Sequence, residues 1–212
     1  TPLAIPLIAL VSPDLPSLRA LFSGAAISKS ADDRPAAPVT AEMKADASPV
    51  TVADREIELA LRKRIEAAFP DHGIVGEEFG NVREGAEYQW VLDPIDGTRS
   101  FMAGILTFTT LIALAKNGAP IMGVIDQPIT RERWIGLTGK PTTRNNAPCK
   151  TSAATISQAS LTTTSTYHFS AVEKAAFERL RNECGNIVLG GDAYAYAMLA
   201  GGRVGLVVDA GM

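Results

Sequence analysis

Two short apolar runs in this sequence end on acids. Gly73-Ile74-Val75-Gly76 runs into Glu77-Glu78, and Trp90-Val91-Leu92 stops at Asp93, before Pro94, Ile95, a second aspartate, Asp96, and Gly97-Thr98. Acids at strand ends can converge on one edge of a sheet. A few carboxylates, a backbone carbonyl and water make the near-octahedral oxygen shell that Mg²⁺ takes, with positions left for water and a phosphate. Pro94 fixes the chain so that Asp93 and Asp96 can face one point, joined by the carbonyl of Ile95. Gly97-Thr98 can then open a helix whose backbone N–H groups face an anion. Carboxylates for a metal beside amides for a phosphate point to metal-assisted phosphoryl transfer to water. The plainer alternatives are an Asp-rich turn with a helix cap, and a solvated strand end for Glu77-Glu78. Upstream, Thr51 and Asp54 read as a helix N-terminus, with Asp54 either a cap or a first-turn acid.

The elements that must position these acids follow from periodicity. In the helix that starts near Asp54, Ile57, Leu61, Ile65 and Ala68 share one face, widened by Phe69, with charges elsewhere, and Pro70-Asp71-His72-Gly73 ends it. Residues 73–76 and 89–92 read as strands. Thr107–Ala115 and Pro120–Ile125 read as a hairpin about Asn117-Gly118. Glu132–Leu137 is a further strand and Pro141–Asn146 a polar loop. Strand and helix then alternate: Leu161–Ser165, helix Ala171–Arg181, Ile187–Leu189, helix Ala193–Leu199 and a last strand, Val204–Val208. Residues 1–40 carry Pro2, Pro6, Pro13 and Pro16, which leave room only for a short helix over Ser17–Ile27, with loop around Ser30–Ala37. The pattern is α+β grading into α/β. It divides into an atypical segment (1–43), an α+β metal-binding half (44–140) and an α/β substrate-side half (141–212).

Bulk composition narrows the function classes. The 212 residues are 46% hydrophobic and 20% charged, with net charge −3, so no basic field points to nucleic acid or an anionic membrane. Cys149 and Cys184 form no CxxC pair and read as reduced thiols of a cytoplasmic protein. No apolar run approaches the ~18 residues of a membrane span. The apolar N-terminus is broken by prolines and lacks a basic leader region, so a signal peptide is not expected. His72, in its helix-ending turn, reads as solvated, and His168 as part of a loop; neither is assigned a role.

Three motifs in order, SPVTVADREIE (48–58), GIVGEE (73–78) and WVLDPIDGTRSF (90–101), resemble the inositol monophosphatase-like family of metal-dependent, lithium-sensitive phosphatases. The likeness runs from about Lys44 to Met212. It implies a layered α-β-α-β-α sandwich and a homodimer acting on a small phosphorylated substrate, with two or three Mg²⁺ per site and inhibition by Li⁺. Residue by residue, it implies that Glu77, Asp93 and the Ile95 carbonyl bind one Mg²⁺, and that Asp93 and Asp96 bind a second. Gly97 and Thr98 would hold the phosphate through their amides. The Thr98 hydroxyl and Asp54 would orient and deprotonate the attacking water, with Glu77 part of the catalytic set and Glu78 a neighbour rather than a ligand.

Within the family, DGTRSF, GVIDQPITRERWIG (123–136), GKPTT (139–143) and GGDAYAYAML (190–199) look like histidinol-phosphatases, enzymes of histidine biosynthesis. Asp192 stands where the family contacts the leaving group, and an acid there suits a cationic alcohol such as histidinol. Asp209 stands where relatives carry an acidic substrate contact. The alternatives are a cap for the helix near Ala193 and a strand-end turn before Gly211. An inositol-phosphate or broad-specificity phosphatase is the other enzyme reading. The chain departs from the family in its proline-rich start, and it reaches Met212 about four residues short of a further aspartate ligand. It therefore reads as truncated, and an inactive remnant that binds metal or phosphate is the reading of a different class.

Overall fold

The computed structural model describes residues 40–44 and 49–210. The helix expected over Ser17–Ile27 and the loop around Ser30–Ala37 lie outside them. Two short strands, β1 (Glu42–Met43) and β2 (Pro49–Val50), pair antiparallel and lead into helix α1 (Val52–Ala68). A capping box starts α1: the Asp54 N–H donates to Thr51 Oγ1 at 3.4 Å, and the Thr51 N–H donates to Asp54 Oδ2 at 2.8 Å. Asp54 is thus a first-turn acid, with Thr51 as the cap.

Ile57, Leu61 and Ile65 of α1 face the core as expected. One expectation for this helix fails. Ala68 is exposed, and Phe69 turns inward instead, stacking on the His72 ring with centroids 4.8 Å apart. The charges off that face are not all solvated, since Asp54, Glu58 and Arg62 are buried at helical spacing.

A seven-stranded sheet runs in sequence order through β3 (Gly73–Gly76), β4 (Tyr88–Asp96), β5 (Thr109–Lys116), β6 (Ala119–Gln127), β7 (Glu132–Leu137), β8 (Thr143–Arg144) and β9 (Ala147–Pro148). Only β3 and β4 are parallel. The β5–β6 hairpin turns on Asn117 and Gly118, both at positive φ (49° and 79°), the geometry that matches strand twist in two-residue loops. Thr143-Arg144, expected as loop, pairs with β7 because Asn145 and Asn146 accept the left-handed turn that folds β9 back.

The second sheet is fully parallel, in the order β11 (Asn186–Leu189), β10 (Ser160–Thr163), β12 (Leu206–Val207). Helix α2 (Thr98–Ala103) follows β4, and a 3₁₀ turn (Ile156–Gln158) precedes β10. Helix α3 (Ala171–Glu183) links β10 to β11, and α4 (Asp192–Ala200) links β11 to β12. Buried Ala193, Ala195 and Ala197 let α4 lie close between the sheets, in contact with β5, β6, β10 and β12. Tyr194 fixes its seat: its ring meets Trp134 edge-on at 5.9 Å, and its hydroxyl donates to Glu132 Oε2 at 2.6 Å. The described elements form the layered α+β fold that the motifs imply.

One irregularity in β4 matters most. Asp93 pairs with Leu111 and Asp96 with Thr109, so three steps on β4 oppose two on β5. Residues three apart on a regular strand point to opposite faces. The extra residue of this bulge lets Asp93 and Asp96 share a face. Pro94, which cannot donate to a ladder, sits inside the bulge, and its carbonyl accepts the buried Thr110 hydroxyl at 2.7 Å. Thr110→Val leaves that carbonyl unsatisfied in the core, so urea unfolding should show a loss of about 1–3 kcal/mol.

Candidate active site

Asp93 and Asp96 reach the site from the β4 bulge, Glu77 from the end of β3, and Asp54 from the first turn of α1. The four carboxylates feel one another. Asp93 is pushed up to about 9, first by burial, then by the charges of Glu77 and Asp96, a hydrogen bond shared with Glu77, and the charge of Asp54. Asp96 is pushed up to about 6 by burial, against a hydrogen bond from the Ala193 N–H. Burial also raises Asp54, opposed by its Thr51 hydrogen bonds. Asp93 Oδ1 is buried with no hydrogen-bond partner.

A site of this kind lacks positive charge. Part of it comes from Lys44, whose ammonium lies 2.7 Å from both Glu77 Oε1 and Glu78 Oε1. Burial alone would lower the Lys44 pKa, but its bonds to the two glutamates outweigh this and raise it. The spacing of the motifs gave no sign of this contact. Among the described residues, no three His, Cys, Asp or Glu side chains stand as a ready metal cage. The donor set still fits a hard divalent cation: carboxylate oxygens only, one of them buried and unsatisfied, in mutual repulsion. Glu77, Asp93 and Asp96 are the side chains that could hold it. The Ile95 carbonyl accepts the Thr98 hydroxyl at 3.1 Å.

Gly97 carries φ +84°, and a Cβ there would stand 2.7 Å from Asp192 Cγ, so only glycine fits both the turn and its neighbour. Asp192 is held from two sides, since Ser100 Oγ (2.7 Å) and Thr107 Oγ1 (2.5 Å) both donate to its Oδ2. It follows Gly190 and Gly191 at positive φ and itself has φ 46°, a strained conformation for a non-glycine residue. Asp192 does not cap α4. That is done across the molecule by Asp96, whose Oδ1 accepts the Ala193 N–H at 2.6 Å. Asp209 accepts the Thr163 hydroxyl at 2.9 Å, the Thr164 N–H at 2.7 Å and the Tyr196 hydroxyl at 2.9 Å, tying β10, α4 and the chain after β12 together.

His72 is not solvated as expected. It stacks between Phe69 and Tyr88, its Nδ1 accepts the Trp90 indole N–H at 3.1 Å, and burial lowers its pKa. His168 is exposed beside Tyr167. The sequence reading also missed Glu58 and Arg62. Glu58 accepts the Glu78 N–H (2.8 Å) and the Phe79 N–H (3.2 Å), while Arg62 donates to Glu58 (2.8 Å) and to the Gly80 carbonyl (2.7 Å). The available signal was the i, i+4 spacing of 54, 58 and 62, charged residues recurring on one line of α1 beside the apolar face.

The inositol monophosphatase family model matches residues 18–212. The chain is 48% identical over 172 residues to the chloroplastic bifunctional phosphatase IMPL2 of Arabidopsis thaliana, covering 80% of this chain and 50% of that protein. It is 37% identical over 168 residues to a histidinol-phosphatase of Chlorobaculum parvum, covering 78% and 65%. The chain thus spans about half to two thirds of the length of these relatives. In fold it matches the structure of an inositol monophosphatase from Zymomonas mobilis at TM-score 0.78 and 41% identity, over 95% of this chain and 79% of that one. With its three acidic motifs brought to one end of β3 and β4 in the family's fold, the chain belongs to the inositol monophosphatase family.

Proposed function

We propose that the protein is a Mg²⁺-dependent phosphomonoesterase whose substrate is histidinol phosphate. The observation that carries the proposal is the buried, mutually repelling carboxylate cluster at the β4 bulge, set directly beside Gly97 and the clamped Asp192. A bound Mg²⁺ supplies charge neutralisation on the phosphate and on the attacking water. The remaining steps belong to the chain. The Gly97 and Thr98 amides, at the start of α2, face the phosphate oxygens. Asp54, made more basic by burial, takes the proton of the attacking water, with the Thr98 hydroxyl orienting that water. Asp192, held on one oxygen by Ser100 and Thr107, presents negative charge to a cationic leaving group, and Asp209, tied to Thr163, Thr164 and Tyr196, is the second acidic substrate contact in this reading. The likeness to relatives named histidinol-phosphatase supports this substrate over inositol phosphate. Cys149 and Cys184 stand as free thiols, which suits the reducing cytoplasm, and no described helix is long and apolar enough to cross a membrane.

Phosphate release measured with Mg²⁺ on histidinol phosphate, inositol phosphate, fructose bisphosphate and adenosine bisphosphate should favour histidinol phosphate. Equal rates across the panel would make this a broad-specificity phosphatase. Asp192→Asn should lower kcat/KM for histidinol phosphate by about 10–100-fold, the worth of one charge-assisted hydrogen bond, with little effect on inositol phosphate. Asp93→Asn should lower turnover by more than about 100-fold, beyond what outer-shell changes cause, with the circular dichroism of the fold unchanged.

The cluster also sets a pH dependence. Both aspartates start from 3.8 in the unfolded chain and rise to about 6 (Asp96) and about 9 (Asp93) on folding. Between those values the folded state binds more protons than the unfolded one, so stability falls as pH rises. In EDTA the melting temperature should drop steadily from about pH 4 to about pH 9, the window between the unfolded and the higher folded value. With Mg²⁺ in excess the slope should flatten, because a ligand that binds the ionised folded state stabilises it.

A further inference from the structure

Glu58 closes the SPVTVADREIE stretch and has no part in the chemistry described above. It is nevertheless fully buried, at 0% exposure, and each of its carboxylate oxygens is used. Oε2 accepts the Glu78 N–H at 2.8 Å. Oε1 accepts the Phe79 N–H at 3.2 Å and Arg62 Nε at 2.8 Å. Arg62 Nη2 reaches on to the carbonyls of Phe79 and Gly80. On the other side of Glu77, a Cβ on Gly76 would lie 2.0 Å from Glu58 Oε1 and 2.5 Å from Arg62 Nη2, so a larger residue there would have to displace this buried pair. The chain from Gly76 to Gly80 is therefore wrapped around Glu58, and Glu77 sits in the middle of the wrap.

Glu77 needs such a support. It is the first residue past β3, already in the bend, its side chain is 43% exposed, and it has three rotatable bonds between backbone and carboxylate. Past β3 its backbone keeps one bond to the neighbouring strand, the Glu77 N–H donating to the Leu92 carbonyl at 3.2 Å, which holds the main chain but leaves the direction of the side chain open. Asp54 lies four residues before Glu58 on the same line of α1, a rise of about 6 Å. One rigid helix thus carries both the proton acceptor and the anchor of the Glu77 strand end. Buried ion pairs contribute little net stability compared with apolar residues of the same volume. A pair that spends its hydrogen bonds on the backbone around Glu77 contributes placement instead.

We propose that Glu58, braced by Arg62, is a positioning residue that aims Glu77 at the cation site and fixes its distance from Asp54. This rests on the Mg²⁺ reading of the cluster. The test is Mg²⁺ binding by titration calorimetry, with thermal melts alongside, on the wild-type protein, Glu58→Gln and Ile65→Ala. The last variant loosens α1 on its apolar face without touching the wrap. Glu58→Gln should weaken Mg²⁺ binding by about tenfold or more, the size of other supporting-residue effects on metal sites. Ile65→Ala, though at least as destabilised, should bind within about twofold of wild type, because it leaves the site's supporting hydrogen bonds in place. Unchanged binding in Glu58→Gln, or equal weakening in both variants, overturns the proposal. If Glu58→Gln does not fold, Glu58→Asp takes its place, and failure of both to fold assigns Glu58 to the fold alone and also overturns it. A wild-type protein that binds no Mg²⁺ removes the metal reading itself, an outcome distinct from the others.

Discussion

Carboxylates held together out of water repel one another, and much of this structure is arranged around that repulsion. Burial of Asp93 pushes its pKa up to about 9, and the nearby charges of Glu77, Asp96 and Asp54 add to the shift. Each acid is partly compensated by a different device. Asp54 is held in a capping box, Asp96 by the Ala193 amide of α4, and Glu77 by the Lys44 ammonium. Of these four acids, Asp93 alone keeps a buried oxygen with no partner. A small hard cation held by Glu77, Asp93 and Asp96 would offset their charge together, and that donor set is what the metal proposal rests on.

The same acids join the two sheets. Asp96 leaves the seven-stranded sheet at the β4 bulge and accepts the α4 N-terminus, while Asp192, the first residue of α4, leans back over Gly97 and takes the hydroxyls of Ser100 and Thr107. Tyr194 seats α4 on Trp134 and Glu132 of β7. The stretches that look like histidinol-phosphatases, 123–136 and 190–199, therefore pack on each other. Their residues set the place of α4, and through it the place of Asp192.

What could be read from the sequence was local. The DPIDGT stretch carries its chemistry in consecutive residues, and α1 shows its apolar face by period, so both could be found without coordinates. The device that turns Asp93 and Asp96 to one face could not. Pro94 hinted at a fixed turn, but the bulge exists only against β5, where Asp93 and Asp96 oppose Leu111 and Thr109. The role of Glu58 and Arg62 could not be read, because their partners include backbone groups around residues 78–80, about twenty positions away and silent in any periodicity. His72 was misread for a similar reason, since the rings that enclose it come from Phe69, Tyr88 and Trp90. Thr143-Arg144 looked like loop because a two-residue edge strand offers no alternation to detect.

Anomalous diffraction from a crystal soaked in Mn²⁺, standing in for Mg²⁺, would examine the coordination shell itself. A peak against Asp93, within ligand distance of Glu77 or Asp96, is the result expected if these acids are built for a cation. Well-ordered carboxylates with no peak among them would contradict it, and the repulsion at Asp93 would then have to be relieved by protonation alone.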